Sequence, residues 1–178
     1  MATPTTLPST FVASQVLTAA QMNNLRGAFR ILQVVTTAKT DTFTSSSTTM
    51  TDITGMSVTI TPSATSSLIL ILSQLSISGQ NATAAAFYQL MRGSTAIAIG
   101  DAAGSRSRLT GVGSADGRST ARIISFVDNP ATTSATTYKF QGRASAAGSF
   151  YVNRDETDTD VATTPRTIST ITAFEISA

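Results

Sequence analysis

The sequence predicts an all-β fold, a jelly-roll-like antiparallel β-sandwich of about 8–10 strands, preceded by a short N-terminal helix and an extended arm. Three observations carry this expectation. Thr and Ser number 32 and 23 of the 178 residues; threonine is β-branched, suits a half-buried pleated surface and is a weak helix former. Charged residues are only 12% of the chain, against 41% hydrophobic, so the polar surface is hydroxyl rather than ionic. Short apolar or alternating segments recur between turn residues every ~8–15 residues, a spacing typical of sandwiches.

Residues 1–30 read as a separate arm. Met1 to Phe11 is rich in Thr, Ser and Pro, and Pro4 and Pro8 favour extended backbone. Thr18 stands three residues before Gln21, the capping-box spacing, with Leu17 and Met22 at the positions of a hydrophobic staple. Ala19, Ala20, Met22 and Leu25 are good helix formers and Gly27 is a stop, which predicts a helix of about two turns from Ala19 to Arg26. A helix that short is marginal alone and needs a surface to dock on. Leu17, Thr18, Gln21, Met22 and Leu25 are therefore the candidate attachment residues. The arm either tethers the protein to something else or folds back on its own domain.

Residues 31–178 read as the β domain. Ile31 to Val35 is apolar and β-branched; Val58 and Ile60 alternate with Ser57, Thr59 and Thr61 before Pro62 ends the run. Ser67 to Ser78 contains Leu68-Ile69-Leu70-Ile71-Leu72, apolar on both faces of a strand. Strands with one wet face alternate, so this run predicts a second cover besides the opposite sheet. In a chain with one small helix the expected cover is a neighbouring subunit, which makes Leu68, Leu70 and Leu72 candidate interface residues. Ala86 to Met91 and Thr95 to Ile99 flank a turn at Arg92-Gly93-Ser94, and Arg122 to Val127 ends at the turn signal Asp128-Asn129-Pro130. Tyr138, Phe140 and Gly142 alternate with Lys139, Gln141 and Arg143; Ser149 to Val152 is short, and Thr167 to Ile176 closes the chain.

The chain holds no Cys, His or Trp. That rules out disulfides and thiol catalysis, puts a structural zinc site out of reach and removes the usual base of a serine hydrolase. Two isolated lysines, Lys39 and Lys139, argue against a Ser–Lys variant. A net charge of +2 is too small for nucleic acid, which needs a dense basic face. No stretch approaches the ~20 apolar residues of a membrane span and no secretory signal opens the chain, so the expectation is a soluble product made in a cytosol, with no membrane insertion. Paired carboxylates for glycosidase chemistry remain open at Asp52, Asp101, Asp116, Asp128 and the 155–160 cluster. Within that cluster, Glu156, Asp158 and Asp160 can offer oxygens to Ca²⁺, although the EF-hand pattern fails. The plainer expectation is a solvated loop offset by Arg154, with no cofactor and no metal.

Gly111, Gly113 and Gly117 do not match a phosphate-cradling spacing and read as a loop. Arg106, Arg108, Arg118 and Arg122 flank it. They suit either an anionic ligand or pairing with Asp101, Asp116 or the 155–160 cluster of the next subunit, and the second is the expectation. For sugar binding, Tyr88, Tyr138 and Tyr151 are the candidate aromatic platforms.

Phe11-Val12-Ala13-Ser14-Gln15-Val16-Leu17-Thr18-Ala19-Ala20-Gln21-Met22-Asn23 resembles an N-terminal segment of small tail-fibre and head-fibre proteins of tailed bacteriophages. The stretches 40–61, 89–104 and 128–152, with the closing Ser169-Thr-Ile-Thr-Ala-Phe-Glu-Ile176, resemble a β domain of phage virion proteins. The resemblance implies a virion surface protein, assembled in the host cytoplasm and typically trimeric. Its arm would be fixed to the capsid or tail and its β domain would point outward toward a host-surface glycan; no catalytic residue is carried over. Alternatives are a capsid decoration protein stabilising the head, or a glycan-binding module or polysaccharide depolymerase.

Overall fold

A computed structural model describes residues 30–177. The expected helix and the attachment residues Leu17, Thr18, Gln21, Met22 and Leu25 lie outside the described residues. The described part is all-β, built from two antiparallel sheets that face each other across one core. Its strands are β1 (Ile31–Lys39), β2 (Phe43–Ser45), β3 (Thr51–Ile60), β4 (Leu68–Gly79), β5 (Ala86–Arg92), β6 (Thr95–Ile97), β7 (Gly111–Val112), β8 (Thr120–Asp128), β9 (Thr136–Ala144), β10 (Phe150–Val152) and β11 (Ser169–Ile176). These eleven strands exceed the expected number because several are only two or three residues long.

Sheet A is organised around β4. β8 pairs along one side of it, while β11 and then β10 pair end to end along the other; β1 and β2 continue outward in the same way. Sheet B runs β3-β9-β5, with β6 and β7 sharing the far side of β5. β3 lies against β1 and β11, bringing the sheets together on that side.

Alternation decides which residues fill the core. Ile69, Ile71, Leu75 and Ile77 of β4 point inward, as do Val58 and Ile60 of β3, Tyr138 and Phe140 of β9, and Ile171 and Ala173 of β11. On β3 the inward positions slip from Ile53 to Met56. The ladder with β9 is irregular between Asp52 and Ser57, and Gly55 takes φ +83, a conformation that glycine adopts without steric cost. The alternation expected for 138–143 is present; the turn expected at Arg92-Gly93-Ser94 narrows to Gly93-Ser94, because Arg92 pairs with Thr95, and the strand after it ends at Ile97.

The outermost strand pair of sheet A is broken between β1 and β2 and between β10 and β11, where residues 153–168 loop out. Buried Asn153 bridges the break: its amide donates to the carbonyls of Lys39 and Asp41 at 2.7 and 2.9 Å, and its Oδ1 accepts from Ser169 Oγ at 2.6 Å. Asn153 sits at φ +61, a region asparagine tolerates better than most residues. The loop base is pinched by Thr167 N–H donating to the Asn153 carbonyl.

The two ends of the described chain meet. Ser177 N–H donates to the Arg30 carbonyl at 2.9 Å and Arg30 N–H to Ser177 Oγ at 3.1 Å. The arm therefore leaves the domain at the end of sheet A formed by Ile31, Ile176 and Leu68.

Candidate subunit-contact face

On β4 the odd positions enter the core, so Leu68, Leu70, Leu72 and Gln74 point outward. The register fixes their neighbours. Val34, Phe174, Leu70 and Val127 form one row across β1, β11, β4 and β8; Thr36, Thr172, Leu72 and Ser125 form the next, and Ala38, Thr170, Gln74 and Ile123 the third. Leu32, Ile176, Leu68 and Ala121 complete the face. It carries no charged side chain. Ile123 is 74% exposed, Val34 53%, Val127 52% and Leu72 39%, while Leu68, Leu70 and Phe174 are half-buried by their neighbours.

The sequence singled out Leu68, Leu70 and Leu72 from one run. It did not single out Val34, Val127, Ile123 or Phe174, which complete the surface. Their signal was present in the alternation of 32–38, 121–127 and 170–176, but only the register shows that these lines lie side by side.

Sheet B presents a different outer surface. Asp52 accepts from Lys139 at 2.6 Å and from Gln141 at 2.7 Å, Gln89 donates to Gln141 at 2.9 Å, and the Arg143 guanidinium lies 4.6 Å from the Phe87 ring centroid. Lys139 and Gln141 hold the Asp52 carboxyl below the usual carboxylate range. That face carries charges and meets its polar needs within one chain; the face of sheet A is uncharged, its polar groups being the hydroxyls of Thr36, Thr170, Thr172 and Ser125 and the amide of Gln74, with Thr36 and Thr172 bonded to each other at 2.9 Å. Large uncharged, apolar surfaces mark contact sites, whose centres are depleted in charge.

Of the four arginines flanking the glycine loop, Arg106, Arg108 and Arg118 are exposed and Arg122 is half-buried. Arg108 Nε donates to the Gly100 carbonyl at 2.7 Å within its own loop. Arg122 points between the sheets near Tyr88, whose hydroxyl is shifted upward by burial and partly offset by the Arg122 charge. The acidic groups assigned to these arginines in a neighbouring copy are largely engaged at home. Asp158 pairs with Arg154 at 3.2 Å and with Arg166 at 2.7 Å, Asp155 accepts from Ser119 N–H at 2.7 Å, and Glu156 accepts from Asn81 N–H at 2.8 Å.

These contacts also bear on the Ca²⁺ alternative: among the described residues, no group of three acidic side chains is placed to hold a metal ion. Asn81, Asp116, Arg118, Asp155 and Glu156 line a polar recess of about 230 Å³. It lies beyond the far end of β4, opposite the end where the arm departs. The candidate platforms Tyr88, Tyr138 and Tyr151 are all buried and offer no ring to a sugar. They occupy inward positions or, for Tyr151, lie beneath the Arg154 guanidinium, 5.0 Å from the ring centroid.

No family model and no curated protein matches this chain. The functional reading therefore rests on the face of sheet A and on the sequence.

Proposed function

We propose that this chain is a non-enzymatic structural protein of a tailed bacteriophage particle, a surface fibre or spike that assembles as a homo-oligomer, with a trimer as the expected state. Residues 1–30 tether it to capsid or tail. The observation that carries the reading is the charge-free outer face of β1, β11, β4 and β8, with Leu72 and Ile123 exposed on it. A lone subunit leaves this surface wet, whereas packing copies through it removes apolar area from water at ~25 cal/mol per Å².

The jelly-roll description belongs to the same proposal. In its favour, the chain passes between sheets at β2–β3, β3–β4, β4–β5, β7–β8, β8–β9 and β9–β10, as Greek-key connections do. A receptor-contact role at the free end is favoured by the polar recess around Asn81 and Glu156. Gold-labelled antibody against the β domain is expected to decorate purified particles from outside, on the head for a decoration protein and on the tail for a fibre. Particles that contain none of the chain overturn the proposal.

A further inference from the structure

We infer that the copies are joined edge to edge: β8 of one chain pairs antiparallel with β1 of the next, and three four-stranded sheets close into a ring with the outer face of sheet A turned toward the shared axis. This rests on the oligomeric reading and deepens it, because it names the strands that meet and the direction in which they run.

The first argument is the state of the edges. β8 pairs with β4 from Thr120 to Asp128 without a register shift, and among the described residues no strand pairs with its other side. A long open edge is a template for a further strand, and proteins that keep one open guard it with charge, proline or a bulge. β8 contains no proline, and its two charged side chains turn inward, Arg122 toward Tyr88 and Asp128 to Arg92 and Tyr138. β1 is the opposite edge, also nine residues long, and pairs with β11. β3 packs against both β1 and β11 without pairing with either, so it lies beneath this edge and leaves its side open. The most exposed large side chains of the face, Ile123, Val34 and Val127, stand on these two edge strands, whereas Leu70 and Phe174 of the inner strands are half-buried.

The second argument is direction. The pairs β1–β11, β11–β4 and β4–β8 are each antiparallel, so β1 and β8 run opposite ways. Rotation about an axis along the strands keeps those directions, and β8 therefore meets β1 of the next copy antiparallel. A contact between two different edges closes into a ring only through such a rotation. Pure rotation adds no shift along the axis, so the rows continue from copy to copy. Val127 comes level with Val34 of the next chain, Ser125 with Thr36 and Ile123 with Ala38.

The third argument is dimensional. Four strands at ~4.8 Å, with one more spacing at the junction, give each side of the ring ~19 Å, and the centre of such a triangle lies ~5.5 Å from each side. Stacked sheets stand ~10 Å apart, so each supplies side chains that reach ~5 Å. Leu70, Leu72 and Phe174 thus fill the centre, and no charge is buried there.

Within one chain Ser125 and Thr36 are three strand spacings apart, ~14 Å, beyond the ~7 Å between Cα atoms that a disulfide spans. The chain has no cysteine of its own, so a bridge between these positions joins two chains. Ser125→Cys is combined in the full-length protein with Val34→Cys, Thr36→Cys or Ala38→Cys in turn, oxidised mildly and run without reductant. Ser125→Cys/Thr36→Cys is expected to give bands of two and three chains and nothing larger, all lost on reduction. Bands that stop at two chains or run on past three overturn the inference, as does no bridge in any of the three variants. So does a bridge in Ser125→Cys alone, which would pair β8 with β8 about a two-fold axis.

Hydrogen exchange on the unaltered protein decides the matter if those variants misfold. With a strand on each side, every amide of 121–127 is expected to exchange more slowly than the 101–108 loop, by roughly tenfold or more. Alternate amides of β8 exchanging as fast as that loop overturn the inference, and so does full protection in a protein of single-chain mass. A mass of three chains with open β8 amides removes this inference and keeps the oligomeric reading, whereas a single-chain mass removes both.

Discussion

Ser67 Oγ donates to Glu175 Oε1 at 2.7 Å in a site closed to water, where Ser67 and Glu175 are each 1% exposed. The same oxygen accepts from the amide and the hydroxyl of Ser63, both at 2.6 Å, and Oε2 accepts from Gln33 Nε2 at 2.9 Å. Glu175 thus joins the start of β1, the loop before β4 and the end of β11 through neutral donors.

Burial alone would raise the Glu175 pKa, but the hydrogen bonds from Ser63, Gln33 and Ser67 outweigh it and hold the group at about 2, below the ordinary 4.5. A carboxylate whose folded pKa is depressed contributes stability that is complete above its unfolded pKa and lost as pH falls toward the folded one. Denaturant midpoints should therefore drop between about pH 4.5 and pH 2. In Glu175→Gln that part of the drop should disappear, with a stability loss at pH 7 of ~1–3 kcal/mol because the donors lose a charged acceptor.

Asn153→Ala should cost ~2–4 kcal/mol, since it orphans the carbonyls of Lys39 and Asp41 and leaves a non-glycine residue at positive φ. Asn153→Asp should be no better, because a carboxylate oxygen would then face those two carbonyls. Urea unfolding checks both; a loss under ~0.5 kcal/mol, the range of ordinary surface changes, would show that the bridge between the broken strands is unimportant.

Tyr138 donates to Asp128 Oδ2 at 2.6 Å, and Arg92 holds the same carboxylate at 2.9 Å. Burial first, and then the bond to Asp128, push the Tyr138 hydroxyl far above its ordinary 10.0. The stability from this raised pKa is present below pH 10 and lost as pH rises above it. Alkaline ultraviolet titration should show Tyr138 ionising only with unfolding, and Tyr138→Phe should cost ~1–2 kcal/mol.

Leu72→Gln and Ile123→Arg alter exposed positions on the outer face of sheet A. Each should change the stability of the isolated fold by no more than ~0.5 kcal/mol, while together they shift the protein toward single chains in light scattering. Unchanged association in the double variant would move the contact to another surface.

What was legible in the sequence was local. Tyr138, Phe140 and Gly142 declare their face by alternation, and Leu68 to Leu72 declares a strand with two apolar sides. Glu175 was not legible as a buried charge, because the serines that satisfy it stand 112 and 108 residues away. Asn153 read as the edge of an acidic loop, since nothing nearby reveals that strands at 39–41 and 169 converge on it. The contact face was half legible: one strand declared itself, and its neighbours became part of a surface only through register.

Sedimentation equilibrium of the full-length protein at micromolar concentration tests the central claim most directly. Burial of the sheet A face between copies predicts a mass above that of the single 18.4 kDa chain, and three times it for the proposed trimer. A mass of one chain, unchanged as concentration rises, would contradict it.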